Sequence, residues 1–194
     1  MGEFDAYQAD TGARLWSVQL HTGILAPPVT YQVGNDQYVA VVLGWGGAVG
    51  LAAGEIALAS HTSEGNVPRL MVFKLNGADV VPAPPPARPR VLNPPRDSAS
   101  REVVAHGKQL YHHTCGVCHG DSATSGGVLP DLRYSTTLGD PTLWNSVVRD
   151  GSLENRGMVA FSSELTPAQT DAIRAYVIQR ANEDLAKQKA KGTP

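Results

Sequence analysis

The chain has 194 residues and a net charge of −2 at pH 7, with charged side chains at only 18 % and with 20 Gly and 14 Pro. That length holds one large domain or two small ones, and so much Gly and Pro demands turns and linkers. The balanced charge gives no footprint for nucleic acid or an anionic membrane surface, and no run reaches the ~18 apolar residues of a membrane span.

The N-terminus, Met1-Gly2-Glu3-Phe4-Asp5, carries neither the basic nor the apolar region of a secretory leader. Residues 4–8 alternate, Asp10-Thr11-Gly12 turns the chain, and residues 14–19 resume an extended pattern, which predicts a hairpin. Val29 to Val33 and Tyr38 to Leu43 predict a second pair through Gly34-Asn35-Asp36. The run Tyr-Val-Ala-Val-Val-Leu is almost continuously apolar, as in a strand covered on both faces. Leu70 to Leu75, ending at Asn76-Gly77, predicts a fifth strand. Between the fourth and fifth, residues 44–66 are rich in Gly, Ala and Ser and open on Gly44-Trp45-Gly46-Gly47. A loop of about twenty residues inside a compact domain is uncommon and is usually functional or mobile. Taken alone, residues 1–77 read as a small β-sandwich or as an incomplete β segment.

Residues 78–96 contain Val81-Pro82-Ala83-Pro84-Pro85-Pro86-Ala87-Arg88-Pro89-Arg90 and Asn93-Pro94-Pro95. Proline at this density fixes φ and removes donors, so an extended polyproline spacer and a domain boundary are expected here. Residues 97–186 then read as helices. Asp97 to Ser100 offer N-caps for a helix from Arg101 to His113, with Val103, Gly107 and Leu110 on one face and Val104 and Tyr111 beside it. Gly107 costs about 1 kcal/mol against Ala within a helix, which makes sense if another helix crosses closely there. A second helix from Asp140-Pro141 to before Gly151 is expected to bury Leu143, Trp144, Val147 and Val148. Thr166-Pro167-Ala168-Gln169 is a capping box that opens the last helix. Its expected buried stripe is Ile173, Tyr176, Val177 and Ala181, with residues 187–194 a frayed tail.

Cys115-Gly116-Val117-Cys118-His119 is the attachment signature of a c-type haem. The thiols add to the porphyrin vinyl groups, and the spacing sets His119 beneath the iron as the proximal ligand. A zinc site would need four ligands, and no second cysteine pair exists. A thioredoxin-like dithiol would need a βαβ context, which these helical flanks lack. The sixth ligand is expected from the loop before the last helix, where Met158 lies 39 residues after His119. His112 and His113 are alternatives by type, but they sit too near the attachment site to cross the ring. A thioether ligand favours Fe(II).

The stretch Ala6-Tyr7-Gln8-Ala9-Asp10-Thr11-Gly12-Ala13-Arg14-Leu15-Trp16 resembles the tryptophan-docking repeat of the eight-bladed propellers that hold pyrroloquinoline quinone (PQQ). It departs from that repeat at Gln8, where Asp is usual, and at Ala13, where Lys is usual. Gly23 to Tyr31, Gln37 to Val41 and Gly44 to Gly47 resemble the closing blade. The order of segments resembles the quinohaemoprotein alcohol dehydrogenases, whose propeller is followed by a linker and a cytochrome c domain. The resemblance implies a mixed fold of two segments: all-β partial propeller blades at 1–77 and an all-α cytochrome c domain at 97–186.

It also implies covalent haem c here, with PQQ and calcium in a longer parent whose upstream propeller is the partner, and an external acceptor that is a cytochrome, a copper protein or a quinone. The family's catalytic aspartate, vicinal disulfide and calcium ligands have no counterpart, so no catalytic residue is expected in this chain. Trp45 is expected either near the quinone or packed at a blade edge. Pro130, in Leu129-Pro130-Asp131-Leu132, resembles the family proline whose carbonyl accepts a hydrogen bond from the proximal histidine. Arg133 and Trp144 are expected propionate partners. The implied location is periplasmic, with the leader upstream of Met1, and the competing expectation is a freestanding c-type carrier with a non-catalytic β appendage.

Overall fold

A computed structural model describes residues 2–44, 68–78, 80–83 and 90–190. They fall into two compact units, one of strands (residues 2–44, 68–78 and 80–83) and one of helices (residues 90–190).

In the strand unit, β1 (Glu3–Tyr7) pairs antiparallel with β2 (Arg14–Gln19), through the turn that Asp10-Thr11-Gly12 predicts. A second sheet has the order β3-β4-β5 (Val29–Val33, Asp36–Leu43, Arg69–Lys74), antiparallel throughout. Its core is small: Leu20, Val41 and Leu43 are buried, with Phe4, Val18, Ile24, Met71, Phe73 and Val81 packed against them. Trp16, Phe4 and Phe73 form a three-ring cluster, with Trp16 at 5.9 and 5.2 Å between ring centroids and edge-on to each of the others. That is the quadrupole-favoured edge-to-face arrangement.

The apolar run of β4 does not lie between two covered faces. Val41 and Leu43 point into the core, but Val42 is 51 % exposed. Residues on the Val42 side share their exposure across the sheet. Val29 is opposite Ala40, Val72 is also opposite Ala40, and Leu70 is opposite Val42. Val29, Tyr31, Val42, Leu70 and Val72 thus form an apolar face open to solvent. Alternation tells which residues share a face, not whether anything covers it.

The helical unit is built from α1 (Arg101–Thr114), the single turn α2 (Gly116–His119), α3 (Pro141–Val148) and α4 (Pro167–Ala190). Local chemistry starts each long helix. Ser100 accepts from the Val103 amide at 3.3 Å, and Asp140 accepts from the amides of Thr142 and Leu143 ahead of Pro141. The Thr166–Gln169 box is reciprocal, with the Thr166 amide donating to Oε1 at 2.8 Å and the Gln169 amide to Oγ1 at 3.3 Å. α4 runs unbroken to Ala190, past the point where fraying is expected.

α1 meets α4 at Gly107. A Cβ on Gly107 would lie 1.9 Å from the Ala172 carbonyl oxygen, so only glycine permits this crossing. The crossing also decides which stripe is buried. Val104, Gly107 and Tyr111 face the core, whereas Val103 is exposed, one residue around the helix from the expected face. In α3, Trp144 and Val148 are buried as expected, but Leu143 is exposed. The α4 stripe of Ile173, Tyr176, Val177 and Ala181 is buried as its spacing requires, and it continues to Asp184. The proline-rich stretch is held at both described ends within the unit each belongs to. The Pro82 carbonyl accepts from Arg69 at 3.2 Å, while Arg90 lies 3.9 Å over the Tyr134 ring and Pro95 accepts from Asn182 at 2.9 Å.

Candidate haem centre

The cysteine–histidine turn is set by the end of α1. The Cys115 amide donates to the Tyr111 carbonyl at 2.8 Å, and the His119 amide to the Cys115 carbonyl at 2.9 Å. Both thiols and the imidazole therefore sit on one helical turn. The Tyr111 hydroxyl donates to the Gly120 carbonyl at 2.8 Å and ties the end of that turn back to α1. Gly120 has φ +83°, and a Cβ there would lie 2.0 Å from the Thr124 carbonyl oxygen. The chain can leave the turn this way only with glycine.

His119 is buried, and its Nδ1 is 2.9 Å from the Pro130 carbonyl oxygen. A carbonyl only accepts, so Nδ1 carries the proton and Nε2 keeps its lone pair. Burial lowers the pKa of the imidazole, against smaller opposing effects of the Pro130 bond and the Asp131 charge. A neutral, oriented ring with a free Nε2 is what an iron ligand requires. Cys115 is buried and Cys118 exposed. Burial first, and Cys118 second, push the Cys115 thiol up to about 12. A redox dithiol needs a lowered pKa, so this environment argues against the thioredoxin-like alternative.

Met158 is half-buried in the loop between α3 and α4. Its amide donates to the Leu153 carbonyl at 3.2 Å, just after Gly157 at φ +89°, and the Phe161 amide donates to Val148 at 3.0 Å. The histidine alternative is weaker. His112 has Nδ1 2.7 Å from the Lys108 carbonyl and Nε2 2.9 Å from Asp121 Oδ1, so neither nitrogen is spare. His113 is exposed on α1.

These residues fit a haem. The donor set is two thiols, a tautomer-fixed imidazole and a thioether. The cysteine turn, the Pro130 loop, α3 and the Met158 loop each expose an apolar side chain, Val117, Leu129, Leu143 and Val159. A porphyrin is an apolar disc that such side chains can cover.

Arg133 and Trp144, the expected propionate partners, are engaged by protein acceptors. The Trp144 indole donates to the Thr170 carbonyl at 3.0 Å. Arg133 pairs with Asp131 at 2.6 Å and with Asp184 at 2.7 Å, and all three side chains are nearly buried. Burial would lower the Arg133 pKa, but the two carboxylates more than offset it and hold the guanidinium charged. Neither carboxylate is marked by a motif of its own in the sequence. The signal for Asp184 was present: the buried stripe of α4, carried three residues past Ala181, lands on an acid. Trp45 lies outside the described residues.

Residues 102–177 match the family model of cytochrome c oxidase, cbb3-type, subunit III. The matched residues make up most of the helical unit, which resembles a c-type cytochrome domain. Over 97 % of its length the chain is 40 % identical to the quinohaemoprotein alcohol dehydrogenase ADH IIB of Pseudomonas putida, covering 27 % of that protein. It is 39 % identical to the dehydrogenase subunit of the quinone alcohol dehydrogenase of Gluconobacter oxydans, covering 24 %. The solved structure of ADHIIG from Pseudomonas putida HK5 superposes with a TM-score of 0.78 at 36 % identity, over 96 % of this chain and 27 % of that one. The chain spans about a quarter of the length of these relatives. It resembles the part of a quinohaemoprotein alcohol dehydrogenase that contains the cytochrome.

Proposed function

We propose that this chain is the C-terminal part of a quinohaemoprotein alcohol dehydrogenase, and that its helical unit takes electrons from PQQ in an upstream propeller and passes them to an external acceptor. Cys115 and Cys118 would carry the porphyrin, His119 and Met158 would hold the iron, and residues 2–44 and 68–83 would contribute the last blades. When bound, haem c supplies a one-electron Fe(III)/Fe(II) couple. Alcohol oxidation releases two electrons, so they must leave through this centre singly. The acceptor would be a cytochrome, a copper protein or a quinone. The setting would be the periplasm, where c-type haem is attached in bacteria. No helix among the described residues is long and apolar enough to cross a membrane.

The observation that carries the reading is the Cys115–His119 turn with His119 Nδ1 committed to Pro130. The residues act by position. Pro130 fixes the imidazole, the Gly157 turn brings in the thioether, and burial keeps water from His119. A thioether ligand supplied by Met158 would favour Fe(II). Arg133 and Trp144 each donate to a residue of α4, Asp184 and Thr170. The open sheet face of Val29, Val42, Leu70 and Val72 supports the fragment reading, since a further sheet would cover it.

The chain matured with the c-type assembly machinery should show the weak near-infrared band of sulfur–iron ligation when oxidised, and Met158→Ala should abolish it. Supplied with PQQ and calcium, the isolated chain should not oxidise primary alcohols. Measurable turnover would overturn the fragment reading.

A further inference from the structure

A buried cluster of charges stands behind the His119 loop, and electron transfer as described does not use it. The side chains of Asp131, Arg133 and Asp184 are only 8, 10 and 12 % exposed. Arg133 forks onto Asp131, with Nε to Oδ1 at 3.0 Å and one terminal nitrogen to Oδ2 at 2.6 Å. Its other terminal nitrogen donates to Asp184 Oδ2, on α4, at 2.7 Å. Asp184 also accepts from Lys187 at 2.8 Å and from Arg180 at 3.3 Å. Ion pairs taken out of water seldom outperform well-packed apolar residues in stability. Position suggests another use for this one.

Asp131 directly follows Pro130, whose carbonyl accepts from His119 Nδ1. Pro130 lies in irregular backbone, where no helix or strand ladder fixes its carbonyl. On one side the Ser125 hydroxyl holds the Leu129 carbonyl. On the other, Asp131 caps the short turn Leu132–Tyr134 and is held by Arg133. Resting on the reading of this unit as a haem c domain, we propose that Arg133 is a positioning residue: by tying Asp131 to Asp184 on α4, it holds the Pro130 carbonyl against His119 Nδ1 and so sets how strongly the imidazole donates to the iron. A strong Nδ1–H···O bond gives the ring more anionic character and favours Fe(III). A loosened one favours Fe(II) and raises the reduction potential.

The test uses the full chain with haem attached. Asp184→Ala cuts the tether but leaves the Arg133–Asp131 fork, so the charge nearest His119 is unchanged. Exchange of the His119 ring N–H with solvent, followed by NMR on the reduced protein, should quicken by about tenfold, as expected for weakening one hydrogen bond. The reduction potential should rise while the near-infrared band persists. Glu183→Gln removes the same charge one residue away, where the carboxylate pairs with Arg180 and not with Arg133, and should leave ring exchange at the parental rate. Asp184→Glu should bring exchange back toward that rate. If Asp184→Ala does not fold, Asp184→Asn keeps the volume and one acceptor and should shift exchange in the same direction by less. A folded Asp184 variant with parental exchange and potential would overturn the proposal. A parent chain without haem after denaturation would remove the haem reading itself, and that is seen before any variant is made.

Discussion

The helical unit and the strand unit come from one chain of even composition, yet they meet water differently. The helical unit encloses a continuous core in which Tyr111, Trp144, Ile173, Tyr176 and Val177 are buried together. Among the described residues of the strand unit, only Leu20, Val41 and Leu43 form a buried apolar core, and one sheet face is open. The difference lies in how each kind of element finds a partner. Three helices, one capped by Ser100, one by Asp140 and one by the Thr166–Gln169 box, bury their stripes on one another. A twisted sheet has two faces and needs a layer for each. The first unit therefore has the means to be stable alone, and the second has the shape of something meant to be covered.

The largest test of that contrast is removal of the attachment thiols. Cys115→Ala with Cys118→Ala should lose the covalent haem entirely by mass spectrometry under denaturing conditions. Amide exchange should rise in residues 97–186 while the strands keep their parental rates. A uniform response of both units would show that they fold as one.

Ile173→Ala and Leu70→Ser probe the cores directly. The first removes a fully buried side chain beneath Gly107 and should cost about 2–5 kcal/mol in denaturant unfolding followed by helix signal. The second lies on the open sheet face and should change stability by less than about 0.5 kcal/mol, while reducing binding of a hydrophobic dye. A large loss at Leu70 would mean that the face is covered in solution.

The smallest effect expected is acid sensitivity. Burial would raise the Asp184 carboxyl, but hydrogen bonds from Lys187 and Arg133 and the charges of Arg180 and Arg133 carry it below its usual value near 3.8. A lowered folded pKa stabilises the protein above that usual value, and the contribution is lost as pH falls through the folded one. Unfolding of the helical unit should therefore steepen below about pH 4, and Asp184→Asn should flatten that limb without altering the strands. An unchanged acid limb in the variant would place the sensitivity on other carboxylates.

What the sequence determined by itself is local. The attachment turn, the Ser100 and Asp140 caps, the capping box and the strand runs are each decided within a few residues, because caps, turns and alternation act through neighbouring backbone. The Cys-x-x-Cys-His spacing keeps thiols and imidazole within five residues of one another in any fold, and Gly107 already signalled a close helix crossing. Tertiary structure decided the rest. Whether Val103 or Val104 faces inward depends on the angle at which α4 crosses Gly107, which no window around either residue contains. The open side of β4 could not be read from its pattern. Arg133 and Trp144 found acceptors on α4 because a buried donor bonds to whatever acceptor packing brings near. Asp184 lies 51 residues from Arg133, and nothing but the packing of α4 brings it to the loop that carries Pro130.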